Sequence, residues 1–301
     1  MTLHDEMSRA RRRFERAGID AVEAAVDAEL LARCVLAWDR ARLLASARLP
    51  PPAGFFDAYE ALVTRRERRE PAAYVVGSRE FWNRDFEVGP GVLVPRPETE
   101  FVVEEALETL PSLSQGRAHG ALGVADVGTG TGCLAVTLAL ECPQATVVAT
   151  DVSPAALDVA RRNAARHGVA DRITFVETSV LAEVDRSFHL IVSNPPYVPT
   201  PDLASLPPEV RDYEPVAALA GGDDGLDVVR ELLLQAESRL RRGGLLIFEF
   251  GFGQEGGVRQ AIAARPAFCL EKVRQDLQGI PRTAVVRFNA GPGLSFQPST
   301  P

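Results

Sequence analysis

The chain has 301 residues, 46% hydrophobic and 25% charged, a composition ordinary for a soluble globular protein with a proper core. That length predicts one large domain or a domain with an appendage. The net charge of −8, from 33 basic and 41 acidic residues, argues against bulk DNA or RNA binding, because gripping phosphates takes a basic face.

Cys34, Cys133, Cys142 and Cys269 form no CxxC pair, and only four His are present, so neither a disulfide framework nor a metal site is expected. The opening "MTLHDEMSRARRRF" carries no apolar core of a signal peptide. No apolar run reaches the roughly 18 residues of a membrane span. A cytoplasmic protein is the expectation.

Residues 1 to about 75 read as helical. "DAVEAAVDAELLARCVLAW" repeats Val22, Val26, Leu30, Leu31, Val35 and Trp38 at three- and four-residue steps, with Asp20 placed to cap the helix. "LPPPAG" interrupts the pattern and "FFDAYEALVTRRERRE" resumes it. Such a bundle either supports the rest of the protein or docks its substrate; both roles stay open at this point. From 78 to 95, "SREFWNRDFEVGPGVLVP" is aromatic and β-branched and predicts a hairpin turning at "GPG". Pro97 then opens a helix, with Glu98 and Glu100 in its first turn.

Beyond 120, strand-like runs at 122–127, 145–150, 173–177, 188–193, 244–250, 268–274 and 283–288 alternate with helical ones. Alternation of this kind predicts a parallel sheet wrapped by helices. No helix separates the last two runs, so one of them should be antiparallel. The tail "AGPGLSFQPSTP" is expected to be disordered.

Three motifs carry chemistry. In "VADVGTGTGCLAV", Asp126 ends a strand, and Gly128, Gly130 and Gly132 lie in the turn into a helix, where a ligand can approach the backbone closely. A tight turn without a ligand is the plainer alternative. In "VVATDVS", Asp151 ends the next strand, where a carboxylate can accept both hydroxyls of a ribose. It could instead cap the following helix, though Ser153 is better placed for that. In "VSNPPYVP", an apolar strand ends in a stiff elbow, with Asn194 offering a side-chain carbonyl and Pro195 and Pro196 lacking N–H groups. Fixed acceptors and the flat ring of Tyr197 suit a planar NH2 group better than a mere strand end.

This combination resembles the amino-directed S-adenosylmethionine-dependent methyltransferases. "EPAAYVVGSREFWNRDFEVGPGVLVPRPETE", "DVGTGTG", "SNPPYV", "EVRDYEP", "GGDDGLD" and "DLQGIPR" occur in the order found in protein-(glutamine-N5) methyltransferases of the HemK type, over roughly residues 20 to 288. That family modifies bacterial peptide-chain release factors. The resemblance implies an α/β fold: a Rossmann-like seven-stranded methyltransferase sheet with a small N-terminal helical domain and a connecting β-hairpin. The boundaries it suggests are 1–75 for a substrate-docking helical domain, 76–95 for the hairpin linker, 96–290 for the methyltransferase domain and 291–301 for a flexible tail.

The resemblance implies S-adenosylmethionine as cofactor, held by Gly128, Thr129, Gly130, Thr131 and Gly132 at its methionine part and by Asp151 at its ribose, with Val180 and Asn194 also in contact. Asn194, Pro195, Pro196 and Tyr197 would hold the target glutamine amide. Arg96, Glu98, Thr99 and Glu100 would wall the mouth, with helix capping an equal alternative for the acids. Glu214 and Pro215 would lie near the substrate, whereas Phe81 and Trp82 read as hairpin packing. The family usually has an acidic and then a bulky residue near the adenine; Ser179 and Val180 stand there instead. The implied partners are class 1 peptide chain release factors, with no direct nucleic-acid contact, no membrane and a monomeric enzyme. The N-terminal helices are expected to help dock that partner.

The rival readings are glutamine methylation of a ribosomal protein, a DNA adenine-N6 methyltransferase, an NAD-dependent oxidoreductase and a binding protein without catalysis. The acidic balance weighs against DNA, and the glycine spacing against NAD.

Overall fold

A computed structural model of the chain describes residues 1–114 and 122–289. The expected disorder of the tail concerns residues outside that range. In chain order the helices are α1 Leu3–Arg16, α2 Ala21–Leu36, α3 Arg40–Ser46, α4 Phe55–Glu67, α5 Ala72–Val76, α6 Glu100–Ser114, α7 Cys133–Glu141, α8 Pro154–Arg166, α9 Pro208–Arg211, α10 Asp227–Arg239 and α11 Glu255–Ala263. The strands are β1 Ser78–Phe81, β2 Arg84–Glu87, β3 Leu122–Val127, β4 Ala145–Asp151, β5 Ile173–Glu177, β6 Phe188–Ser193, β7 Leu240–Glu249, β8 Phe268–Gln275 and β9 Pro281–Phe288.

The chain forms two compact units. The first holds Met1–Ser78, Val88–Pro90 and Leu206–Tyr213. Asp20 caps α2, accepting from the Val22 amide at 2.8 Å. The face of α2 in the core takes only the later part of the large-residue stripe: Leu31 is buried and Val35 and Trp38 pack against the core, but the first turns turn their alanines inward. Ala24, Ala28, Leu31 and Ala32 are buried, while Val22 and Val26 are 74% and 57% exposed. Small residues let the neighbouring helix come close: the Tyr59 hydroxyl of α4 donates to the Ala28 carbonyl at 2.9 Å.

The second unit holds the hairpin and the main sheet. The hairpin turns at Trp82 and Asn83, both in the left-handed region (φ 52° and 56°), and not at "GPG", which follows β2. Two consecutive positive φ values match the right-handed twist of a tight hairpin, and Asn tolerates them well. Pro97 opens a single tight turn, Pro97–Thr99, before α6 begins at Glu100. The Glu100 carboxylate accepts from the Trp82 amide at 2.7 Å and so braces the hairpin.

The seven strands of the main sheet lie in the order β5-β4-β3-β6-β7-β9-β8. β9 runs antiparallel to both its neighbours and the rest of the pairings are parallel. β7 starts at Leu240, earlier than its apolar run. Leu240 pairs with Phe188, and regular pairing resumes at Leu190 and Leu245 after an irregular stretch that includes left-handed Gly243. The central strands β3 and β6 are buried along their whole length because both faces are covered, whereas the edge strand β8 exposes residues along its length. Val124, Val192 and Ile247 pack towards α6 and α7, and Ala125, Ile191 and Phe248 towards α10 and α11.

Candidate active site

Strand order places the site. After β3 the chain builds β4 and β5 on one side, then crosses back to lay β6 on the other. Open α/β sheets bind ligands at the carboxyl edge of such a switch point. Val127 is level with both Thr150 and Ser193, so Gly128, Asp151 and Asn194 emerge side by side.

Gly128 and Gly130 have φ of 69° and 54°, and a Cβ on Gly130 would meet open space. The turn is tied down from behind: the Thr129 amide donates to the Thr150 carbonyl at 2.9 Å, and Asn163 Nδ2 to the Thr131 carbonyl at 2.9 Å. Asp126 is fully buried, accepting at one oxygen from the Thr129 hydroxyl (2.6 Å) and the Ala135 amide (3.0 Å). Burial dominates those hydrogen bonds and pushes its carboxyl up to about 7. Gly132 serves packing. A Cβ there would sit 3.1 Å from that of Ala160 in α8.

Asp151 accepts from the Gly130 amide at one oxygen and the Ser153 amide at the other, both at 2.9 Å. Burial raises its pKa against these bonds. Ser153 caps α8, accepting from the Ala156 amide at 3.2 Å. Each carboxylate oxygen keeps acceptor capacity towards a cavity of about 370 Å³, whose walls include Gly128, Gly130 and Asp151 on one side and Asn194, Pro195 and Pro196 on another. Ser179 and Val180 line it too. Val180 is left-handed at φ 55°, a costly setting for a β-branched residue, and the Thr150 hydroxyl holds its carbonyl at 2.7 Å.

The elbow is braced on both sides. Asn194 Nδ2 donates to the Thr99 hydroxyl at 2.9 Å, and Thr99 in turn donates to Glu249 Oε2 at 2.7 Å. The Tyr197 hydroxyl donates to Glu249 Oε1 at 3.1 Å. On the backbone side, Gln254 Nε2 donates to the Tyr197 carbonyl at 2.8 Å, the Val198 amide donates to the Leu219 carbonyl at 2.8 Å, and the Gly221 amide donates to the Val198 carbonyl at 2.9 Å. "GGDDG" is glycine-rich because it lies against this elbow: a Cβ on Gly221 would come 2.8 Å from the Pro196 carbonyl, and one on Gly225 2.3 Å from that of Tyr197.

Thr129 and Thr131 border a smaller recess of about 40 Å³ with Thr99 and Asn194, not the main cavity. The main cavity's walls do not include Tyr197 or Gly132. Arg96 grips Glu214 at 2.7 and 2.8 Å, and Pro215 lines the cavity. Glu249 escaped sequence reasoning, as did the brace role of Gln254. A lone carboxylate in "GLLIFEF" was the available signal, since burying one needs partners. Among the described residues, no helix is long and apolar enough to cross a membrane, and no group of three His, Cys, Asp or Glu could hold a metal ion.

A mostly parallel sheet that switches direction beside a glycine turn and an Asn-Pro-Pro-Tyr elbow defines a methyltransferase. Residues 107–204 match the family model described as methyltransferase small domain, and residues 7–77 the PrmC N-terminal domain. The chain belongs to the release factor glutamine methyltransferase family. It is 45% identical to the release factor glutamine methyltransferase of Geobacter sulfurreducens over 86% of this chain and 88% of that one. The corresponding protein of Cereibacter sphaeroides is 41% identical over 96% of this chain and 100% of its own. Among solved structures, the hMettl16 catalytic domain in complex with MAT2A 3'UTR hairpin 1 aligns with a TM-score of 0.54 at 14% identity, over 79% of this chain and 85% of that chain, a likeness of fold alone.

Proposed function

We propose that this protein methylates the side-chain amide nitrogen of the glutamine in the Gly-Gly-Gln loop of class 1 peptide chain release factors, using S-adenosylmethionine. The observation that carries the chemistry is Asn194, whose Nδ2 is taken by Thr99 while the residue lines the cavity. Its Oδ1 is thereby left to accept from an incoming NH2 group. The family, with relatives matched along nearly their whole length, supplies the substrate.

The residues present fit the cofactor. Open space over Gly130 and a left-handed Gly128 admit a ligand against the backbone, and Asp151 can accept both hydroxyls of a ribose. When bound, S-adenosylmethionine supplies a methyl carbon made electrophilic by its sulfonium. Its sulfur would keep the C–S electron pair as the new N–C bond formed, and the glutamine nitrogen would shed one proton to water. An amide nitrogen is a poor nucleophile, so the protein's work is orientation. Asn194 Oδ1 and the stiff elbow hold the N–H groups and let the nitrogen turn its lone pair to the methyl. Positioning of this kind is worth ~7–11 kcal/mol in well-oriented reactions.

Mass spectrometry of a purified release factor and of ribosomal proteins, each incubated with enzyme and S-adenosylmethionine, tests this. One added methyl on the Gly-Gly-Gln glutamine is the expected result. Methyl only on a ribosomal protein moves the substrate and keeps the chemistry. Methyl on duplex DNA alone overturns both.

A further inference from the structure

Glu249 lies at the end of β7, 1% exposed, and the two hydroxyls that reach it belong to Thr99 and Tyr197. We propose that Glu249 is a positioning residue that sets which way the Asn194 amide faces, acting through Thr99. The inference rests on the reading of Asn194 as the holder of the target nitrogen.

A hydroxyl has one hydrogen to give and lone pairs to receive. Thr99 spends its hydrogen on Glu249 Oε2 at 2.7 Å. Towards Asn194, 2.9 Å away, it can then only accept. An acceptor there selects the NH2 end of the Asn194 amide, so the carbonyl end is left for the substrate. Were Thr99 free to donate to Asn194, the amide could turn over and present an NH2 to another NH2, which is repulsive. Glu249 thus decides the polarity of a group it does not touch. Its second oxygen takes the Tyr197 hydroxyl at 3.1 Å, so both ends of the Asn-Pro-Pro-Tyr elbow are referred to one buried carboxylate.

The charged form serves this role best, because a protonated carboxyl would offer a hydrogen of its own. Burial pushes Glu249 up to about 7, opposed by the Thr99 and Tyr197 hydroxyls, with Glu98 raising it further and Arg282 lowering it. The Cys133 thiol is pushed up to about 12, mainly by burial, with the charge of Glu249 a minor contribution. The polarity of Asn194 should therefore sharpen as pH rises through the titration of Glu249.

The test compares variants above that pH. Thr99→Val and Glu249→Leu each remove a link. Each should cut the rate of methyl transfer by about 100-fold, the scale expected for a misplaced reacting group. Cofactor affinity by calorimetry should change less than about threefold, since neither side chain is assigned to the cofactor. The double variant should be no slower than either single one. Glu249→Gln keeps an acceptor for Thr99, with its NH2 given to the Tyr197 oxygen, and Thr99→Ser keeps the relay; each should recover most of the lost rate. Additive losses, or equal losses of rate and cofactor affinity, would overturn the proposal. A measurement on the unmodified protein guards against misfolded variants: the Asn194 side-chain NH2 should exchange with solvent slowly by NMR. Exchange as fast as in an exposed asparagine would sink the idea. Because that signal needs no substrate, it decides this inference even if no release factor is methylated.

Discussion

Arg66 of α4 and Glu209 of α9 form an ion pair at 3.0 Å, joining residues far apart in sequence within the first unit. Arg66 is fully buried and also meets Asp27 at 2.7 Å and Glu23 at 2.8 Å. Arg69 reinforces Glu209 at 2.6 Å, and the Tyr213 hydroxyl donates to the Arg68 carbonyl at 2.7 Å. The segment 206–213 is thus fastened to the N-terminal helices.

Removing Arg66 should be severe. Arg66→Met leaves three carboxylates facing a lost cation, and breaking a buried pair in this way costs about 3–5 kcal/mol. Glu209→Gln keeps hydrogen-bonding capacity and should cost clearly less. Urea unfolding of both variants checks the order; a mild Arg66→Met would mean the cluster is solvated more than its burial implies.

The cofactor and target roles should separate. Asp151→Ala removes an acceptor for two hydroxyls. Hydrogen bonds to charged groups contribute ~1.5–3 kcal/mol, so the Kd for S-adenosylmethionine should rise by about 10- to 100-fold or more. Asn194→Ala should slow single-turnover methyl transfer by about 100-fold while cofactor Kd stays within a few-fold. Calorimetry beside rapid-quench kinetics reads both; a matched loss in both quantities for Asn194→Ala would remove it from target holding.

Stability should carry a pH signature at Asp126. Its carboxyl, ordinarily near 3.8, is raised to about 7 by burial. A raised folded-state pKa favours folding fully below the unfolded value, and that stabilisation is lost as pH rises through the folded value. Between about 4 and 7 this group therefore makes the apo protein less stable with rising pH. Asp126→Asn cannot titrate and can still accept from Thr129 and Ala135. The variant should melt higher than the unmodified protein at pH above 7, and the gap should close towards pH 4. An unchanged gap across that range would show that Asp126 is not the group responsible.

Docking by the helical unit is open to a surface test. Val22 and Val26 lie one turn apart on the exposed side of α2. Val22→Glu with Val26→Glu leaves the core untouched. It should raise KM for an intact release factor several-fold and leave KM for a short Gly-Gly-Gln peptide unchanged. Equal effects on both substrates would rule out docking through this face.

Much of this was legible in one dimension. Local patterns mark each strand of the sheet, because runs such as "FHLIVS" and "LGVADV" are largely apolar and buried along their whole length when both faces are covered. The same holds for Gly128, Gly130, Asp151 and the Asn194 elbow, since each ends a strand on the edge where such sheets bind ligands. Long-range pairing was not legible. Which face of α2 is buried depended on the neighbours that small alanines admit. Residue 209 joining the N-terminal helices depended on Arg66. Most of all, the link from Asn194 through Thr99 to Glu249 joins three elements far apart in the chain. Periodicity reports which side chains leave water; only the folded arrangement decides which donor meets which acceptor once they have left it.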